Sequence, residues 1–315
     1  MHTTSRRKLI PLLQGLTAHQ TDLLLVGMVF VWGANFSVMK VTLAFLSPLV
    51  FNALRFTVAT ILLVIILRWQ RHPLGVARAD VWKVLAIGVI GHGIYQIIFI
   101  EGLSHTTVAN SSLLMGTVPI FVALLSAALR IERVTLQRWV GILLSFAGIV
   151  LVILGGGGRL QFDTSHLTGD LLMLSAAITW ASYTVASKPL LRRYTPLHLN
   201  AITMIPGTLI LILVALPDFI RQRWLSVPSV AWAGLAYATI FSLVIAYLIW
   251  FTAVQRIGNA RTAVYSNGIP VVASLLAWLV LREPFGVLQA IGGVIILTGV
   301  TIAQRDGRSR NAHDV

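Results

Sequence analysis

Apolar runs of about 20 residues, the length that crosses a lipid hydrocarbon core, recur down this chain and are separated by short polar stretches. Ten can be marked, over roughly 22–41, 48–68, 82–103, 107–129, 138–154, 168–187, 197–216, 230–254, 260–281 and 286–303. Gly, Pro and charge clusters divide them, as at Arg71-His72-Pro73, Gly155 to Gly158 and Pro217-Asp218. A soluble core would instead show amphipathic helices beneath a charged surface. The pattern predicts an all-α integral membrane protein of ten transmembrane helices.

The chain also repeats itself. Trp32 to Lys40 (WGANFSVMK) recurs as Trp180 to Lys188 (WASYTVASK), with Asp22/Asp170, Pro48/Pro196 and Asn52/Asn200 at the same offset of 148 residues (180 − 32). A second collinear set, Ala109/Ala260, Pro119/Pro270, Glu132/Glu283, Gly141/Gly292 and Gly148/Gly299, keeps an offset of 151 residues (270 − 119). Two such sets with three residues of drift mark an internal duplication. Ten spans shared between two repeats gives five each, and an odd number turns the second repeat upside down. The expected organisation is an N-terminal tail (1–21), a first five-helix repeat (22–154), a linker (155–167), a second five-helix repeat (168–303) and a C-terminal tail (304–315).

Composition agrees with this picture, at 57% hydrophobic and only 11% charged residues. Cysteine is absent, which excludes disulfides and thiolate metal sites. The net charge of +14 is spread over short loops between apolar spans, which argues against nucleic acid as a partner. With the N-terminus placed in the cytoplasm, inside segments hold eighteen Lys and Arg, in clusters such as Arg6-Arg7-Lys8 and Arg130/Arg133/Arg138. Outside segments hold four: Arg159, Arg221, Arg223 and Arg282. That bias predicts that both termini are cytoplasmic. Ser5-Arg6-Arg7-Lys8 is read as an inside anchor for the first span rather than an export signal, since no cleavage site follows.

Trp32-Gly33-Ala34-Asn35-Phe36 with Lys40, then Pro48, Phe51 and Arg55-Phe56, resembles the first two helices of the drug/metabolite transporter superfamily, in its EamA-type branch. Pro119 followed by Glu132, and Pro270 followed by Glu283, resemble that family's fourth and ninth helices. The likeness covers about residues 20–303. It implies a ten-helix inverted-repeat carrier with a central cavity, moving small organic solutes, often outward. Aromatic amino-acid exporters form one subgroup, and these motifs do not select it over its siblings.

Several residues could carry the chemistry, each with a plainer reading beside it. Pro119 and Pro270 lie inside apolar runs, where each removes a backbone hydrogen bond. They are read as gating hinges whose freed carbonyls, those of Met115 and Ser266, line a cavity; a packing kink is the alternative. His92, Tyr95, Gln96 and Phe99 share a helical face by spacing, as do Trp180, Tyr183, Thr184 and Ser187, and Trp32, Asn35, Phe36 and Met39. Faces that mix rings with amide, imidazole and hydroxyl groups suit a substrate cavity, or else interhelical hydrogen bonds. The expected lining is Trp32, Asn35, His92, Tyr95, Gln96, Trp180, Tyr183 and Tyr265.

Arg55 and Glu101 are the ionisable groups expected at membrane depth. A structural Arg55–Glu101 pair stands against a proton site or a carboxylate-binding arginine. His92 could couple transport to protons or serve as a hydrogen-bonded structural residue. Glu132 and Glu283 are expected in helix-end pairs, Asp22 and Asp170 as helix caps, and the two glycine pairs as faces for close packing. Trp69, Trp82, Trp139, Trp224 and Trp232 suit an interfacial belt.

These features predict a secondary transporter in the inner (cytoplasmic) membrane, exporting a small organic metabolite such as an amino acid or drug-like solute by alternating access. Its partners would be that solute and the lipid bilayer, with protons as a candidate coupling ion. No phosphate-binding loop, metal site or cofactor is expected. The alternatives are an intramembrane enzyme and a non-transporting structural or regulatory membrane protein, but paired aspartates at membrane depth, which an aspartyl protease needs, are missing from the sequence. Ser104-His105 is a loop dipeptide without a recognisable third member.

Overall fold

The computed structural model describes residues 17–106, 108–155, 167–281 and 286–311. All the regular structure among them is helical. Sequence expectations at Glu283, within the two tails (1–16 and 312–315) and within 156–166 lie outside the described residues.

Helix α1 (Ala18–Thr42) starts a turn before its apolar run because Thr17 and Gln20 form a reciprocal capping box. Helices α2 (Pro48–Trp69) and α9 (Pro196–Arg221), repeat mates, both begin at a proline, whose missing N–H costs nothing in a first turn. The third run is one rod, Arg78–His105, made of α3 (Val81–Gly88), a π-helical turn at Val89–Ile94 and α4 (Tyr95–His105). The eighth is built alike, from α10 (Ser229–Tyr237), a π-helical turn at Ala238–Ile245 and α11 (Ala246–Ile257).

The fourth and ninth runs are broken rather than bent. Helix α5 (Val108–Met115) stops at Gly116-Thr117, and α6 (Val118–Ala128) restarts with Pro119 in its first turn. Helix α12 (Asn259–Val264) passes through a 3₁₀ turn at Tyr265–Gly268 into α13 (Ile269–Leu281), where Pro270 is the second residue. At each break a hydroxyl takes one carbonyl: Thr117 Oγ1 donates to Leu114 O at 2.5 Å, and Ser266 Oγ to Ala263 O at 2.7 Å.

The remaining helices are α7 (Leu136–Gly155), α8 (Leu167–Leu190) and α14 (Val287–Asn311). Seven helices among the described residues are long and apolar enough to cross a membrane: His19–Met39, Pro48–Trp69, Arg78–His105, Leu136–Leu154, Pro196–Arg221, Ser229–Ile257 and Val287–Gln304. The other three runs fall short for visible reasons. Two are the broken ones, and α8 has the length but is diluted by polar residues such as Thr168, Asp170, Ser175 and Thr179. The protein is a multi-pass membrane protein.

Repeat mates α7 and α14 pack through their glycines. A Cβ added to Gly141 would lie 2.5 Å from the Gly299 carbonyl oxygen, and one on Gly148 would lie 2.7 Å from that of Gly292. Contact therefore descends one helix as it climbs the other, so the two run antiparallel. With little apolar driving force between helices in lipid, such backbone approach supplies the packing energy.

A corner elsewhere is held by opposite charges at opposite helix ends. Gly258, at φ +92°, joins α11 to α12. The Lys188 ammonium donates to the carbonyls of Val254 and Gln255 at the end of α11. The Glu132 carboxylate accepts from the backbone N–H groups of Asn259 (2.6 Å) and Ala260 (3.2 Å) at the start of α12. Each charge sits at the helix terminus whose dipole favours it.

Candidate functional site

Aromatic side chains from both repeats gather where α1, α4, α8 and α11 meet. The Trp32 and Trp180 rings are 6.0 Å apart, Tyr95 lies 5.1 Å from Trp180, and Tyr247 lies 5.4 Å from Trp180. Trp250 packs behind, 5.5 Å from Trp32 and 5.6 Å from Trp180. The Trp32 indole N–H donates to the Ser242 carbonyl at 3.1 Å, where the π-helical turn changes the course of the backbone.

All of these rings but Trp250 border a cavity of about 130 Å³. Its wall takes Trp32, Asn35, Phe36 and Met39 from α1, Arg55 from α2, Tyr95, Gln96 and Phe99 from α4, and Trp180 from α8. Ser242, Leu243 and Tyr247 come from the eighth run, while Met115, Gly116, Val118, Ser266, Ile269, Pro270 and Ala273 come from the two broken runs. Flat rings with a few polar groups make a wall suited to an amphipathic organic molecule.

Arg55 is 3% exposed, and its guanidinium is held by uncharged groups. Nε donates to Asn52 Oδ1 at 2.8 Å, Nη2 donates to Gln96 Oε1 at 2.7 Å, and Nη1 lies 3.9 Å from the Met39 sulfur. The Phe51 and Phe56 rings stand 5.0 and 5.6 Å from its central carbon. Gln96 in turn donates to the Tyr247 hydroxyl at 3.3 Å, and Asn52 donates to the Gln96 carbonyl at 3.1 Å. Among the described residues, Arg55 is the one charged residue on the wall.

Of the alternatives for Arg55, the structural pair with Glu101 is not among its contacts. Glu101 points away, 38% exposed and 3.9 Å from His105 Nδ1.

Of the eight residues expected on the cavity wall, Trp32, Asn35, Tyr95, Gln96 and Trp180 border it. His92, Tyr183 and Tyr265 do not. His92 is fully buried one layer behind, its Nε2 2.7 Å from the Tyr183 hydroxyl and 3.1 Å from Thr203 Oγ1, its ring 5.8 Å from Tyr247. The i, i+3, i+4, i+7 rule fails there because Val89–Ile94 is π-helical. The wider turn rotates His92 off the face that carries Tyr95, Gln96 and Phe99.

Tyr265 belongs to a different cluster, where its hydroxyl donates to Asp22 Oδ1 at 2.7 Å and Arg261 Nη2 reaches both Asp22 oxygens at 2.9 Å. Asp22 is therefore not the cap of α1, a role Thr17 fills, but ties the first helix to the ninth run. Asp170 does lie in the first turn of α8, where it accepts from Thr106 Oγ1 at 2.5 Å. Pro119 is buried just beyond the wall residue Val118, whereas Pro270 is on the wall itself.

Tyr247, Ser242 and Leu243 escaped the sequence reading. Tyr247 was within reach of it, being the position 151 residues after Gln96, with which it bonds.

The profile of the EamA-like transporter family matches this chain twice, over residues 19–154 and 167–304. The chain is 30% identical to the uncharacterized transporter YyaM of Bacillus subtilis, over 89% of this chain and 92% of that one. It is 32% identical to an uncharacterized transporter of Archaeoglobus fulgidus, over 89% of this chain and 96% of the relative. A probable terminal-alkyne amino-acid exporter of Streptantibioticus cattleyicolor is 30% identical over 91% of this chain and 95% of its own. A solved crystal structure superposes with a TM-score of 0.80 at 21% identity, covering 93% of this chain and 99% of that chain, which shows the same fold. The chain, with its duplicated helices closing around one aromatic cavity, belongs to the EamA-like transporter family.

Proposed function

We propose that the protein is a secondary carrier exporting a small organic metabolite, an amino acid or a drug-like solute, across the inner membrane by alternating access. In this reading all ten runs span the membrane as two inverted halves (22–154 and 168–303) joined by a linker (155–167), with both tails cytoplasmic. The cavity carries the proposal. Its wall draws on both repeats and on both broken helices, and the two breaks supply places where the halves can bend. Pro119 and Pro270 are then hinge residues. Trp32, Asn35, Tyr95, Gln96 and Trp180 are substrate contacts, and His92, Tyr183 and Tyr265 support the wall from behind or below. The likeness to the probable exporter of Streptantibioticus cattleyicolor supports the outward direction.

Protein reconstituted into sealed vesicles tests this. A panel of amino acids and amphipathic solutes should include one that crosses faster than through empty vesicles and is recovered chemically unchanged. Recovery of a covalently altered solute, or no flux for any solute on the panel, would sink the carrier reading.

A further inference from the structure

Among the described residues, the charge on Arg55 has no counter-charge. Three polar contacts fix its guanidinium, yet no carboxylate touches it among the described residues, and no acidic side chain lines the cavity. An isolated buried charge is costly, and breaking symmetry to place one is informative. Asn52 has an asparagine, Asn200, at its repeat mate, whereas the mate of Arg55 is Thr203. The duplicated fold is thus built at this position without a guanidinium in one half. Of the five N–H groups of an arginine, Asn52 and Gln96 fasten two and the Met39 sulfur weakly engages a third, which leaves donors for a further acceptor.

A second observation stands beside it. Asn35 Oδ1 is buried on the cavity wall with no hydrogen-bond partner. Asn35 Nδ2 lies 3.1 Å from the same Met39 sulfur that Arg55 approaches. The wall therefore offers a cationic donor and a neutral acceptor, on two side chains that share the Met39 sulfur.

We propose that Arg55 anchors the carboxylate of an organic acid, that Asn35 Oδ1 accepts from a hydroxyl or amino group next to that carboxylate, and that the apolar body lies against Trp32, Tyr95 and Trp180. This rests on the carrier reading and narrows its substrate class. A guanidinium takes a carboxylate through charge-assisted, often bidentate hydrogen bonds. The acid neutralises Arg55, whereas an organic cation meets an uncompensated positive charge and is rejected. Net charge thus sorts solutes before ring shape does.

The test uses Ala273→Cys as a reporter on the wall of an otherwise cysteine-free chain, in membrane vesicles, labelled with a small neutral thiol reagent. Three probes share one aromatic ring: 3-phenyllactate, its neutral amide, and 2-phenylethylamine. The acid should slow labelling at concentrations roughly tenfold to a hundredfold below those the amide needs, and the amine should not compete. Arg55→Gln should remove the gap between acid and amide but leave the effect of the amide itself, and Arg55→Lys should retain part of the gap. Should Arg55→Gln fail to fold, Arg55→Lys and the order of the three probes on the wild-type background still decide. Labelling that ignores the acid, protection by the amine or amide equal to that by the acid, or an acid preference that survives Arg55→Gln would each overturn the proposal while the carrier reading stands. A cysteine that never labels, with or without solute, would mean a dry cavity and would take both down.

Discussion

Thr60 and Thr208 meet hydroxyl to hydroxyl at 2.8 Å, and they are the same position of the two repeats, 148 residues apart. Gln96 and Tyr247, 151 residues apart, bond at 3.3 Å, and the rings of Trp32 and Trp180 stand 6.0 Å apart. A residue touches its own mate only close to a two-fold axis, as at an isologous dimer interface. Trp32, Trp180, Gln96 and Tyr247 are all on the cavity wall, so each half contributes to it.

Cysteines at the paired threonines test this axis. Thr60→Cys with Thr208→Cys, oxidised in membranes and then cut within 156–166 by an inserted protease site, should stay joined until a reductant is added. A chain that falls into two halves without reductant would contradict the contact.

The α7–α14 seam makes a sharper demand. At Gly141 and Gly148 an added methyl group meets backbone atoms at 2.5–2.7 Å, which a rotamer change cannot relieve. Gly141→Ala or Gly148→Ala should destabilise by about 1–3 kcal/mol, the usual cost of overpacking. Gly27→Ala, with nothing within 4 Å of the added carbon, should be neutral or slightly stabilising. Thermal unfolding in detergent compares the three; equal midpoints would refute the close approach.

Asp22 and Arg261 form a buried ion pair, with side chains 13% and 7% exposed, between the first helix and the ninth run. Removing one partner of such a pair costs about 3–5 kcal/mol, because the other charge is left buried and alone. Asp22→Asn and Arg261→Gln should each destabilise strongly, and the double variant should lose much less than their sum. Additive losses in a double-mutant cycle would show that the pair is not an energetic unit.

Much of this architecture was legible in the sequence because it rests on local apolar length and on repetition. Gly141, Gly148, Gly292 and Gly299 could be assigned to packing faces because small residues at helical spacing in lipid have few other uses. What could not be read depended on distant partners or on helix phase. Nothing near Asp22 announces Arg261, which lies 239 residues away. Thr17, a better cap, left the aspartate free for another role. Arg55 was expected to seek a carboxylate, and amides on two helices hold it instead. His92 was misplaced because a π-helical turn cannot be seen in an apolar run whose residues would suit an α-helix equally well. Applying the repeat offset to Gln96 would have revealed Tyr247.

The prolines separate hinge from packing. Pro119→Ala and Pro270→Ala return an N–H at the start of α6 and α13 and favour closing each break into continuous helix. Both variants should keep or slightly raise the unfolding temperature while slowing transport several-fold. Unchanged flux with both prolines replaced would leave only a packing role.

Alternating access would open the cavity to each side of the membrane in turn, and the reach of a reagent to Asn35 tests this. An Asn35→Cys chain, free of any other thiol, can be placed in right-side-out and in inverted vesicles and treated with a thiol reagent that does not cross lipid. Labelling should occur from both sides and be slowed from both by a transported solute. Labelling from one side only, indifferent to solute, or from neither, would contradict alternating access.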